Sequence, residues 1–75
     1  MLLQEQSIED KARFHYYMAR VYAKNGMNDR ALQNIRKALE EGFKDRNKFM
    51  EEPEFAGLRG TREFEDLMKL EPRAL

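Results

Sequence analysis

The dipeptide Asn25-Gly26 divides the first half of this chain into two runs of helical period, and that break limits what the chain can fold into. From Ile8 to Lys24 neither proline nor glycine intervenes, and Ile8, Ala12, Phe14, Tyr17, Met18, Val21 and Tyr22 recur at helical spacing. Those positions spread around the axis, so a first helix with two buried faces is expected. Ser7 followed by Glu9 and Asp10 suits its start: a serine oxygen accepts from an orphan amide, and acids favour the positive helix end. Gly26 suits its stop, because glycine adopts the left-handed conformation that lets the last carbonyls find partners.

A second helix follows at once. Asn28 is placed to cap it, Asp29 falls in its first turn, and Ala31, Leu32, Ile35, Ala38 and Leu39 form one amphipathic stripe. Glu40 and Glu41 oppose the helix dipole at the far end, so Gly42 carries most of the stop signal. With so short a link the two helices must run antiparallel. Ala19, Ala31 and Ala38 then let the backbones approach closely where larger side chains would hold them apart. The second half is stop-start, broken by Pro53, Gly57 and Gly60. A short helix over 45–50, a helical turn after Pro53 and a last helix after a capping Thr61, fading by Pro72, are expected. Both termini are expected to fray.

The chain has 75 residues, which allows one domain that buries only about 60% of its unfolded surface. At 41% hydrophobic and 37% charged residues, it is too apolar for a disordered tail and charged enough for helices with a solvated face. The fold class expected is therefore all-α: a hairpin over 8–42 and a helical cap over 43–70. Fourteen basic residues balance fourteen acidic ones, so the charge excess of a nucleic-acid binder is missing. Without cysteine there is no disulfide and no thiolate metal site, and one histidine offers a single imidazole, so no cofactor or metal is expected. No apolar run approaches the roughly 20 residues that span a bilayer, and Met1 to Glu5 has no signal-peptide pattern. No membrane partner is expected, and the cytoplasm is the default compartment.

The identities between Ala12 and Asp45 add to this. Met18-Ala19, Tyr22, Gly26, Ala31, Ile35 and Ala38 fall at the spacings of a tetratricopeptide (TPR) repeat, which this stretch resembles. Two residues depart from that pattern: His15 stands where the family often has tryptophan, and Phe43 where it usually has the proline that opens the next repeat. The following Glu41-Gly42-Phe43-Lys44-Asp45 and Glu52 to Arg59, with Phe64 beyond, look like the endings that close many bacterial TPR arrays. The resemblance implies an antiparallel hairpin, a capping segment, and a scaffold that binds a protein or peptide without catalysis. One repeat cannot bury both its faces, since about three are ordinarily needed. Cover from 43–70 on the second helix is expected, with residues 1–11 or a second copy on the first, which makes a homodimer an expected partner state.

Arg13, Tyr16, Arg20 and Lys24 follow one another at steps of three, four and four and form one stripe of the first helix. The resemblance implies that this stripe lines a concave groove, where cations hold a carboxylate. The same residues also suit a solvated face whose cationic stems cover apolar neighbours. His15 reads as a packing side chain in a helix interface, because no nucleophile or orienting carboxylate stands near it in sequence. Glu40-Glu41, Glu51-Glu52 and Glu63-Glu65-Asp66 read as solvated surface, without the spacing of a calcium loop. Arg59-Gly60-Thr61-Arg62 has donors for a phosphate but lacks the spacing of a nucleotide loop.

Overall fold

A computed structural model describes residues 8–69. Four α-helices are present among them, α1 (Ile8–Lys24), α2 (Asn28–Glu40), α3 (Asn47–Glu51) and α4 (Arg62–Met68), with a 3-10 turn at Pro53–Phe55 and no strand. The all-α class is as the periodicity implied. The start signal at Ser7, the fading of the last helix by Pro72 and the frayed termini lie outside the described residues. No helix among the described residues is long and apolar enough to cross a membrane.

Both long helices end in the same way. Gly26 has φ +76° and Gly42 φ +91°, and in each case the glycine amide and the next amide turn back onto the helix. Gly26 N donates to Ala23 O and Met27 N to Tyr22 O, while Gly42 N donates to Leu39 O and Phe43 N to Ala38 O. This doubly bonded stop satisfies carbonyls that would otherwise be orphaned.

It also corrects the expected start of α2. Because Met27 is already held in the turn, its own carbonyl receives the Ala31 amide and Met27 occupies the cap position without a side-chain bond. Asn28 is thus the first helical residue, one step too late to cap. Thr61 does cap α4, its hydroxyl oxygen accepting from Phe64 N at 3.2 Å. α3 starts two residues later than the sequence pattern implied, after a turn in which Lys48 N bonds Asp45 O.

The core runs from the hairpin into the cap. α1 contributes Ala12, Tyr16 and Ala19, α2 contributes Ala31, Ile35, Ala38 and Leu39, and the cap contributes Phe49, Phe55, Leu58, Phe64 and Leu67. The cap covers more than the expected second helix: α4 packs on α2, but the 3-10 turn packs on α1. Two arginines stabilise this irregular half by donating to carbonyls at helix ends. Arg59 donates to Phe49 O at 3.2 Å and to Glu52 O, and Arg46 to Met68 O at 2.7 Å. A cation there also complements the negative end of the helix dipole.

α1 departs from expectation in one respect. Only one of its faces is buried; Phe14, Tyr17 and Val21 on the other are 54%, 55% and 48% exposed. The cap reaches α1 from the side of Tyr16 and leaves the opposite face bare.

Ala31 has no exposed surface, and a leucine there would have to push the helices apart. Ala31→Leu is expected to cost about 1–3 kcal/mol in chemical denaturation, the usual penalty of overpacking.

Candidate functional site: a cleft between the first helix and the cap

α1 and the segment that leads into the cap enclose a shallow cleft of about 390 Å³. Its floor is aromatic. The Tyr16 ring stacks on Phe43 with centroids 4.9 Å apart and planes at 12°, and meets Phe49 edge-on at 5.5 Å. The turn at Gly42 delivers Phe43 to this position, where it builds one wall of the cleft.

Of the four stripe residues, three line the cleft: Arg13, Tyr16 and Arg20. Lys24 does not, and stands exposed at the end of α1. Tyr16 is not the surface aromatic that the stripe implied, being only 5% exposed. Phe43, Phe49 and Phe55 all reach it because the cap folds across α1, a long-range packing that helix spacing does not report. Arg13 is exposed and sits 3.7 Å from Asp10, a surface pair of little energetic weight.

Arg20 is committed to the fold. Its guanidinium donates to Glu54 at 2.7 Å, lies 3.9 Å from Glu52, and sits 5.8 Å from the centroid of the Tyr16 ring. The hydrogen bond from Arg20 is the main cause that holds the Glu54 carboxyl below its ordinary value, and the same bond raises Arg20. This pair ties the 3-10 turn to α1. Sequence spacing did not show Glu52 and Glu54 as its partners, because they lie more than thirty positions away.

Lys44 and Lys48 are the cations that the sequence reading missed. Both line the cleft from the cap side, and among the described residues neither side chain enters an ion pair or hydrogen bond. They fall on the segment following Gly42, and only folding brings them opposite Arg13. The Tyr16 hydroxyl is buried with no hydrogen-bond partner among the described residues. Burial, followed by the nearby Glu52 charge, pushes its pKa up, so the phenol keeps its proton and remains a donor at neutral pH.

The other candidates are absorbed by the fold. His15 Nδ1 and Glu41 Oε1 are 2.6 Å apart, so this histidine has a carboxylate partner, which joins the middle of α1 to the end of α2. Among the described residues there is no serine or cysteine to accompany it, and the one threonine, Thr61, donates to Leu58 O at 2.7 Å while capping α4. Arg59 and Thr61 are thereby both engaged within the chain, so the 59–62 segment is occupied as structure. No group of three or more His, Cys, Asp or Glu able to hold a metal occurs among the described residues. The chain matches no family model, no curated protein and no solved structure.

The Arg20–Glu54 bond gives the fold an acid-sensitive contact. Glu54 is lowered in the folded chain, so its contribution to stability is complete above the ordinary value of 4.5 and is lost as pH falls through the lower folded value. Glu54→Gln is expected to lower stability at neutral pH and to flatten the acid limb of the stability–pH curve, measured by urea denaturation at a series of pH values.

Proposed function

We propose that this chain is a protein-interaction module, and not an enzyme, whose cleft binds a peptide segment bearing carboxylate groups. The observation that carries this reading is a cleft lined by Arg13, Lys44, Lys48 and Tyr16, whose buried hydroxyl has no hydrogen-bond partner among the described residues. A buried donor without a partner costs about 1–3 kcal/mol, and a ligand oxygen that reaches it as the covering side chains part recovers that cost. Two carboxylates share the lining, Asp45 and, beside Arg20, Glu52; Arg13, Lys44 and Lys48 outnumber Asp45 at the opening and favour an anionic ligand through charge-assisted bonds. The aromatic floor offers apolar surface to the remainder of a peptide, the usual composition of a binding site with a few fixed polar groups. The TPR resemblance of residues 12–45 points to the same class of function, with the groove side of its first helix as the ligand surface.

A second reading, a structural capping or homodimerisation module without a groove of its own, is favoured by the bare Phe14, Tyr17 and Val21. The two readings differ in whether the cleft takes a ligand. Arg20 is a poor probe for this, since reversing its charge would also break the bond to Glu54. Lys44 and Lys48 carry no such bond and report on the cleft alone.

Short acidic peptides with free C-terminal carboxylates are expected to be retained by the immobilised chain, and neutral amidated peptides not. The double variant Lys44→Glu/Lys48→Glu is expected to weaken retention about tenfold or more, equivalent to ~1.4 kcal/mol, with an unchanged far-UV circular dichroism spectrum. Retention that is absent throughout, or indifferent to the reversal, would leave the structural reading in its place.

A further inference from the structure

The outer face of α1 carries a pattern that is complementary to itself. Asp10, Phe14, Tyr17, Val21 and Lys24 follow at steps of four, three, four and three, so they form one straight seam opposite the buried Ala12, Tyr16 and Ala19. Its three central side chains are about half exposed each, although they are aromatic or β-branched. An apolar seam of this kind on a helix with one buried face is a surface awaiting cover.

We infer that a second copy of this chain covers it, the two α1 helices packing antiparallel about a two-fold axis at Tyr17. The seam has nearly the same spacing in either direction from Tyr17. An antiparallel copy therefore sets Phe14 against Val21 and Tyr17 against its own counterpart. The charges at its ends decide the direction. Antiparallel packing sets Asp10 against Lys24 at both ends, whereas parallel packing sets Asp10 against Asp10 and Lys24 against Lys24. Opposed helix dipoles favour the same arrangement. Asp10 already has partners within its own chain, Arg13 at 3.7 Å among them, and an exposed pair of that kind is worth little and is readily exchanged. The isologous contact closes on itself, so the assembly stops at two copies. A single helix seam buries less than the ~1,600 Å² of a standard interface, which makes the dimer concentration-dependent. The seam shares Tyr17 with the lining of the cleft, but the inference stands on the outer face of α1 and does not require the cleft to bind a peptide.

Sedimentation equilibrium of the full 75-residue chain over a concentration series tests it. The expected weight-average mass rises from that of one chain towards twice that value. Val21→Glu is expected to hold the mass at one chain with its helical circular dichroism intact, since Val21 is outside the core and outside the cleft. Asp10→Lys alone and Lys24→Asp alone each weaken dimerisation, by about tenfold because each contact occurs twice. The double variant restores it. A mass independent of concentration overturns the inference, leaving the seam to residues 1–7 or to a helix of another protein. A dimer that persists in Val21→Glu, or a double variant no better than either single one, overturns it as well.

Discussion

The Tyr16 ring joins the two halves of this molecule. It stacks on Phe43 at 4.9 Å, meets the edge of Phe49 at 5.5 Å and lies 6.1 Å from Phe55, so a single α1 side chain touches three aromatic rings of the cap. Phe49 and Phe55 are themselves edge-to-face at 5.3 Å. Such pairs add about 0.5–1.5 kcal/mol each beyond burial, a large share of the stability of a domain this small. A helical hairpin of two short helices has too little core to stand alone, and this cluster supplies the missing side.

The same cluster determines what remains open. Because the cap closes on α1 at Tyr16, it approaches from one flank, and the opposite flank with Phe14, Tyr17 and Val21 stays bare. Since the chain returns through Phe43, the segment with Lys44 and Lys48 is drawn across from Arg13 and the cleft forms between them. The Arg20–Glu54 bond holds the rim of the cleft to the 3-10 turn. Cleft and seam are thus two consequences of one packing decision and meet at Tyr17, which lines the cleft and stands at the centre of the seam.

Local signals were legible in the sequence, and distant ones were not. Gly26 and Gly42 announced both helix stops, the residues of the α2 stripe announced its buried face, and Thr61 announced the start of α4. Asn28 misled by one position, because the amide bonded to Tyr22 O belongs to Met27 and the turn closes sooner than a capping asparagine would allow. Tyr16 misled more seriously. Its spacing with Arg13 and Arg20 is that of a surface stripe, and only the cap, more than twenty-five positions away, turns it inward. Lys44, Lys48 and Glu54 were out of reach for the same reason: each acquires its role from a contact between α1 and the second half of the chain, which no periodicity encodes.

Tyr16 therefore has two separable roles, a ring that packs and a hydroxyl that awaits a partner. Chemical denaturation of Tyr16→Phe, with acidic-peptide retention measured on the same sample, separates them most directly. The account predicts that the denaturation midpoint stays where it is or rises, since the ring is kept and a buried hydroxyl without a partner is removed, while peptide retention falls. A midpoint lowered by the equivalent of about 1 kcal/mol or more, with retention unchanged, would mean that the hydroxyl is bonded within the fold, and would contradict the cleft as a binding site.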